Sequence, residues 1–256
     1  MSEQHNSFTL TADGLDTMIQ ANIPDPSQPD LDLVAADGTH LFSQGRATPG
    51  FEDIMTSLAW KQGMLMVNRI PAGGGGQRGY VWFSPQGMVY TSGALDAQFC
   101  TVQAEEGGAL YRTLIDMLDL SARPAPRPGF EPVRIRESCL SEIIGDESAP
   151  DVVHRARTEV AHAVRPIAEG PARCVEDGDF ALLMVASNVN SVQGDASGRA
   201  FAIDTPAGLL LHTEKSRFMR SVHRLEPTAA WLVLTQIVSV LPTPEDIAWW
   251  AESLDR

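Results

Sequence analysis

Residues 200–213 read AFAIDTPAGLLLHT, and residues 80–91 read YVWFSPQGMVYT. Each segment holds two short apolar runs around a Ser/Thr-Pro-x-Gly turn, in which proline presets φ early in the turn and glycine relieves the later position. An arginine, Arg78 or Arg199, comes before each hairpin. The two segments therefore predict matching β-hairpins, one in each half of the chain.

The surroundings of the two hairpins also match, because each follows an apolar strand candidate and is closed by an amphipathic helix. The predicted helices are residues 49–61, 108–120, 150–168, 227–241 and 244–254, and the predicted strands are residues 64–70, 80–83, 88–91, 99–104, 180–186, 200–204, 209–213 and 217–224. Chance is the alternative explanation, since hairpin-helix units are common. We expect an α+β fold in which a pseudo-twofold duplication builds a central antiparallel β-sheet with flanking helices.

The boundary between the halves is a proline-rich segment, residues 121–129 (SARPAPRPG), which favours extended backbone and excludes helix. A ligand for a proline-binding domain is the alternative interpretation. We expect a first half over residues 1–120, this connector, and a second half with an additional C-terminal helix over residues 130–256, packed as one compact unit.

The helix starts and apolar faces carry further predictions. Thr48 is the expected cap of the helix over residues 49–61, and Thr243 that of the last helix. The helix over residues 227–241 is predicted to have one apolar face; it consists of Trp231, Leu234, Ile237 and Val238.

Composition limits the possible partners and the compartment. The formal net charge is -14, and such a charge repels nucleic acid and anionic lipid surfaces. The three cysteines are odd in number and widely spaced, which fits a reducing compartment. Residues 1–10 do not resemble a signal peptide, and the longest apolar stretch, residues 229–241, is too short for a membrane span. We therefore expect a cytoplasmic protein with no nucleic-acid partner and no membrane insertion.

The glycine-rich loop does not predict a phosphate site. Gly74, Gly76 and Gly79 satisfy a bare G-x-G-x-x-G pattern. Dinucleotide binding, however, requires these glycines to open a helix, and here a strand is predicted to follow. A loop that joins two strands is the simpler interpretation.

A catalytic centre is not evident from the sequence. No nucleophile elbow and no zinc-type cysteine pair occurs, so we predict no catalytic residues, no metal and no cofactor, and expect that the protein is not an enzyme. One alternative stays open. His212 and His223 could pair across neighbouring strands and, with Asp204, serve a small-molecule or metal-dependent enzyme.

The order of these features resembles the EspG family of type VII secretion chaperones. The opening FTLTADGLDTMI, residues 8–19, looks like that family's leading helix. The segment around Asp204, Thr205 and Gly208 is similar to its Asp-Thr-x-x-Gly strand turn. The resemblance implies an adaptor that binds a helical secreted protein of the PE/PPE type, keeps it soluble and delivers it for secretion.

The resemblance also implies where the partner binds. In such proteins a first-half loop between strands and the second-half helices form the partner surface. Trp249 and Trp250 are adjacent on the last helix, so one is expected in the core and the other in an exposed patch; burial of both is the alternative. The predicted partner-binding residues are Gly73, Gly74, Gly75, Gly76, Gln77, Arg78, Trp249 and Trp250. A monomer or a weak homodimer through exposed sheet edges is expected.

Overall fold

The fold is that of a computed structural model, which describes residues 7–11, 13–14, 33–43, 46–85, 87–94, 99–105, 107–127, 129–143, 149–217 and 220–253. Within these ranges the helices are α1 (Glu52–Ala59), α2 (Leu110–Leu118), α3 (Cys139–Glu142), α4 (Pro150–Val164), α5 (Glu169–Asp177), α6 (Ala230–Val238) and α7 (Pro244–Ser253). The strands are β1 (Ser7–Thr11), β2 (Leu33–Val34), β3 (His40–Ser43), β4 (Arg46–Ala47), β5 (Gly63–Pro71), β6 (Gln77–Ser84), β7 (Gly87–Ala94), β8 (Phe99–Glu105), β9 (Val133–Ile135), β10 (Ala181–Ser191), β11 (Gly194–Thr205), β12 (Gly208–Arg217) and β13 (Arg220–Thr228).

Ten of the described strands form one antiparallel sheet in the order β1-β8-β7-β6-β5-β10-β11-β12-β13-β9. The order is symmetric about its centre. β5 and β10 are neighbours, and the next three strands of each half follow outward from them. The edge strands, β1 and β9, each precede the strand set of their own half in the sequence. The predicted α+β fold with a central antiparallel sheet is confirmed.

The turns of the two matching hairpins are closed in the same way. Ser84 pairs with Gly87, and Thr205 pairs with Gly208. In each turn the hydroxyl donates a hydrogen bond to the glycine carbonyl, over 3.2 Å from Ser84 and 2.7 Å from Thr205. The two glycines have similar positive φ angles, 154° and 148°, which L side chains rarely adopt. Gln86 of the first turn lies outside the described residues.

Helices cover both faces of the sheet. On the first, called face A, α2, α6 and α7 pack over a core that crosses both halves and includes Val67, Val185 and Ile237. On the other, called face B, α1 and the small sheet β2-β3-β4 cover the first half around Trp82. α3, α4 and α5 cover the second half of face B. Because strand residues alternate between faces, the position of a residue along a strand decides which core it joins.

The N-terminal segment differs from the expected leading helix. Residues 7–11 form β1, which pairs with β8 along an edge of the sheet. The β-branched residues Thr9 and Thr11 favour extended backbone, and Leu10 between them is fully buried. Residues 13–14 are helical, and residues 12 and 15–19 lie outside the described residues.

Several element boundaries also differ from the predictions. The helix predicted over residues 150–168 ends at Val164, and residues 169–177, for which no helix was predicted, form α5. The single strand predicted over residues 217–224 is instead the end of β12 and the start of β13. The second difference arises because a short turn inside a continuous pattern gives no separate periodicity signal.

The helix caps give one correct and one wrong prediction. α1 begins at Glu52, and the Thr48 hydroxyl instead donates to the carbonyl of Leu41. At α7 the backbone N–H of Asp246 donates to Thr243 Oγ1, and the Asp246 carboxylate accepts from the backbone N–H and the hydroxyl of Thr243. This reciprocal arrangement is a capping box. Hydrogen bonds from Thr243 and Val192 outweigh the effect of burial and lower the Asp246 pKa to about 2.

Candidate partner-binding surface

The glycine loop, residues 73–76, joins β5 to β6 at one end of the sheet. Gly74, Gly75 and Gly76 have φ angles of 90°, 68° and 137°, which glycine adopts at little cost. A Cβ at Gly76 would lie 2.5 Å from the backbone oxygen of Arg69. Gly76 is therefore required for space as well as for conformation. β6 begins directly after the loop, so the glycines do not open a helix.

The two polar residues after the loop lie on β6 and are exposed. Gln77 lines an open cavity of about 400 Å³ with Arg69, Asp116 and Asp119 at the end of α2. Arg78 Nε donates a long hydrogen bond, 3.4 Å, to Asn68 Oδ1 on β5. The loop and the C-terminal end of α2 thus form one continuous edge of the molecule.

The adjacent tryptophans of α7 have different environments. Trp250 is 1% exposed, and its indole N–H donates to the carbonyl oxygen of Asn190 over 2.8 Å. Trp249 is partly buried against the same core. Trp250 therefore anchors α7 to the end of β10, and its ring offers no surface to a partner. Trp249 retains partial exposure.

The structure does not bring the two predicted partner-binding segments together. The glycine loop adjoins the start of β10, where the Ala72 N–H donates to the Phe180 carbonyl. Trp250 binds Asn190 near the other end of the same strand. Ala181 and Asn190 are nine residues apart on β10, which is about 30 Å along a strand. A partner that contacts both segments must be long.

The outer side of α6 carries exposed apolar side chains. Val233 and Ile237 on its inner side are each 2% exposed. Trp231, Leu232 and Val238 point outward and are 64%, 37% and 38% exposed. These three residues are here called the α6 outer face. The predicted apolar face is therefore divided, with Ile237 in the core and Trp231 and Val238 exposed, because spacing alone does not specify which side of a mostly apolar helix is buried.

A buried carboxylate links the two halves and the connector. Asp204, on β11, is 4% exposed and accepts two hydrogen bonds from Arg123 of the connector, over 2.7 and 2.8 Å. These bonds raise the Arg123 pKa. Arg69, on β5, lies 3.8 Å from the same carboxylate and 3.4 Å from Asp119. Its Nε is buried and has no hydrogen-bond partner among the described residues. Through its Nη2, Arg69 lies near a carboxylate of each half, Asp119 and Asp204.

The sequence contains a signal for Arg69 that the predictions did not use. Leu65, Val67 and Arg69 alternate along β5, so all three face the same side of the sheet. Arg69 follows two buried apolar residues on the same side of β5, and a cation in such a position requires an anion nearby. Asp204 supplies it from the other half, at a separation that local patterns do not reveal.

The two histidines of the alternative enzyme hypothesis lie together on face B. His212 Nε2 lies 3.1 Å from His223 Nδ1, and the rings are stacked. Burial, and then the neighbouring His223, lower the pKa of His212 to about 4. His212 pairs with Phe201, three residues before Asp204 on β11, so the side chain of Asp204 points to face A. The histidines and Asp204 therefore do not form a common site.

Among the described residues, no cluster of three or more His, Cys, Asp and Glu side chains is placed to hold a metal ion. The Cys139 thiol is fully buried, and its pKa is raised to about 11, mainly by burial. A thiol with such a pKa is a poor nucleophile at neutral pH. No helix in the described part of the chain has the length and apolar character needed to cross a membrane.

Comparison with known proteins gives two different similarities. Residues 47–120 match the Biotin/lipoate A/B protein ligase family. Among solved structures, the chain is similar to the Mycobacterium tuberculosis type VII secretion system chaperone EspG5, solved in complex with a PE25-PPE41 dimer. That similarity has a TM-score of 0.49 and 13% sequence identity, and it covers 92% of this chain and 97% of EspG5. A search of curated protein sequences finds no match.

The family match corrects one expectation from the sequence. We expected that the protein is not an enzyme, and the similarity of residues 47–120 to a family of ligases contradicts this. The matched segment contains α1, α2 and β5 to β8, together with the glycine loop and Arg69. The sequence motifs did not reveal this similarity, because residues 47–120 contain no short catalytic pattern.

Proposed function

We propose that this protein binds a helical protein partner and that the α6 outer face is part of the contact surface. The observation that carries the proposal is the exposure of Trp231, Leu232 and Val238 on a helix whose inner side is already buried in the core. Exposed apolar clusters of this kind mark interaction sites. Tryptophan is also the residue type most enriched among residues that dominate binding energy.

The geometry of face A fits an elongated partner. α2 and α6 are equivalent nine-residue helices, and the second residue of each, Tyr111 or Trp231, is an exposed aromatic. The glycine loop and α7 lie about 30 Å apart along β10. A partner helix of about 20 residues has this length. The glycine loop, Gln77, Arg78 and Trp249 are proposed as secondary contacts.

The resemblance of the sequence to the EspG family suggests the class of partner. We propose a helical secreted protein that this chain keeps soluble in the cytoplasm before type VII secretion. Covering apolar surface on such a substrate requires a complementary apolar surface on the chaperone, which the α6 outer face provides. The net charge of -14 keeps the free chaperone soluble despite that surface.

Co-expression tests this proposal. The chain is expressed with each small helical protein encoded by the neighbouring genes, and the complexes are purified through a tag on the chain. We expect one such protein to co-purify and to precipitate when expressed alone. Absence of any co-purifying helical protein, with all candidates soluble by themselves, would contradict the proposal.

A second candidate function is ligation of a carboxylic acid to a protein. The specific observation is the 400 Å³ cavity beside Arg69, whose lining residues all lie within the segment that matches the ligase family. Biotin and lipoate both carry a carboxylate, and arginine binds carboxylates through paired hydrogen bonds. Arg69 Nη2 lies 3.4 Å from the exposed Asp119, so a bound acid would take the place of that carboxylate.

Calorimetric titration with biotin and with lipoate, with and without ATP, tests the second candidate. We expect binding of one acid that is lost in Arg69→Gln and kept in Arg112→Gln, a neighbouring exposed arginine on α2. If neither acid binds, or if both variants bind equally well, this function is excluded.

A further inference from the structure

The hairpin β11–β12 is paired along only part of its length. β11 and β12 pair from Thr205–Gly208 to Phe201–His212 and no further. Beyond this point β12 pairs with β13 alone. The matching hairpin of the first half, β6–β7, is paired along all of β6. On the side of β11 away from β10, residues 194–200 therefore have no strand neighbour among the described residues.

This open edge has a simple pattern of side chains. Asp195, Ser197 and Arg199 share face B with Phe201, and all three are exposed. The residues between them on face A are small: Ala196 and Gly198. An open edge of this kind presents unpaired backbone N–H and C=O groups, which an extended chain can pair with.

The open edge carries one negative and one positive side chain, Asp195 and Arg199, at equal distances from Ser197. Asp195 and Arg199 do not pair with each other, because four residues along a strand separate them by about 13 Å. If a second copy of the edge runs antiparallel and Ser197 faces Ser197, Asp195 of each copy lies directly opposite Arg199 of the other. Opposite charges in directly facing positions stabilise an antiparallel pair.

We propose that two copies of this chain associate through residues 194–200 of β11, antiparallel and centred on Ser197, so that the two sheets join into one. The charge pattern favours a second copy over an unrelated strand, since the edge supplies its own complement about a twofold axis. The interface is short, so the dimer is expected to be weak and to dissociate on dilution. This association requires no partner protein, and its test is independent of the proposed function.

A cysteine placed on the twofold axis tests the geometry. Facing residues in an antiparallel pair have Cβ atoms about 4.5–5.5 Å apart, close enough for a disulfide after small adjustment. Ser197→Cys is expected to form a covalent dimer on mild oxidation. Ser239→Cys, an exposed serine at the end of α6, is the control for random collision and for the native cysteines. Equal cross-linking of the two proteins, or none in either, would overturn the proposal.

A charge exchange tests the register independently. Asp195→Arg and Arg199→Asp each create two like-charge pairs per dimer, so each is expected to weaken association by about tenfold or more in sedimentation velocity. The double variant restores both pairs in reverse and is expected to recover dimerisation. A double variant that associates no better than the single variants, or a native protein that stays monomeric at high concentration, would overturn the proposal.

Discussion

Val67 and Val185 face each other at the centre of the sheet, and each is the counterpart of the other in its own half. They form a directly opposed pair between β5 and β10 and are each 1% exposed. A twofold rotation exchanges two equivalent residues, so the midpoint between them lies on the rotation axis. The pseudo-twofold axis of the fold therefore passes between these two valines.

The equivalence follows from the strand registers. Phe83 and Asp204 stand at the same place, directly before the matched turns. Phe83 pairs with Gly63 at the start of β5, and Asp204 pairs with Ala181 at the start of β10. Counting four residues onward from Gly63 and from Ala181 gives the central valines. The register is regular throughout, so the matched turns fix the centre of the sheet.

Truncation of either central valine is expected to have the same effect. Val67→Ala and Val185→Ala each remove buried methyl groups from one shared core, so each should lower the free energy of unfolding by about 2 kcal/mol. Val192→Ala, at an exposed valine in the β10–β11 turn, is the control and should change little. Urea unfolding monitored by circular dichroism measures all three. A large difference between Val67→Ala and Val185→Ala would argue against equivalent positions.

Substitutions in the glycine loop should separate space from flexibility. In Gly76→Ala the new Cβ meets the Arg69 carbonyl at 2.5 Å and φ is positive, so the free energy of unfolding should fall by about 1–3 kcal/mol. Gly73→Ala is the matched control, since a Cβ there has nothing within 4 Å and its φ is not positive. Thermal unfolding compares the two. Equal melting temperatures would show that the loop geometry is wrong.

The ion pair between the connector and β11 is expected to be important for stability. Arg123→Ala leaves the buried Asp204 carboxylate without its two hydrogen bonds, and the free energy of unfolding should fall by about 3 kcal/mol. Arg155→Ala removes a long contact of 3.8 Å to Asp151 at the exposed surface of α4 and should cost less than about 0.5 kcal/mol. If both substitutions lower the free energy of unfolding by the same amount, the Arg123–Asp204 ion pair does not stabilise the fold more than an exposed ion pair does.

The buried His212 predicts a pH dependence of stability. Its pKa is about 4 in the folded chain, against 6.5 for the free side chain. Between these values the unfolded chain binds a proton that the folded chain excludes, so the free energy of unfolding decreases as the pH falls from 6.5 to 4, by on the order of 2 kcal/mol. His212→Leu should flatten this part of the curve, whereas the exposed His162→Gln should not. Urea unfolding at pH 7.5 and at pH 4.5 measures the change in the free energy of unfolding for each protein. The same change in the native protein and in His212→Leu would contradict this role of His212.

Local sequence patterns predicted the two repeated hairpins of the fold and missed the edge strands and one helix. The hairpins around residues 84–87 and 205–208 were predictable because turn chemistry and strand alternation agree there. β1 and β9 were missed because edge strands are short and half exposed, which weakens the alternation. α5 was not predicted, because it is only nine residues long and contains Gly170 and Pro171, which disfavour helix.

The candidate site was less accessible from the sequence than the fold. The sequence shows that Trp231 is apolar and helical, but which side of α6 is buried depends on how the helix packs on β11. Adjacent positions suggested that Trp249 and Trp250 differ, and burial of Trp250 follows from its hydrogen bond to Asn190, 60 residues away. The Arg69–Asp204 contact crosses between the halves and has no local signature.

The most direct test concerns the α6 outer face. The affinity for the co-purified helical partner is measured by calorimetry for the native chain, for Trp231→Ser/Val238→Ser, and for Trp60→Ser, an exposed tryptophan at the end of α1 on face B. We predict that the α6 double variant keeps its thermal stability and binds at least about 30-fold more weakly, while Trp60→Ser binds like the native chain. Equal affinity of all three proteins would contradict the proposal that this chain holds its partner through α6.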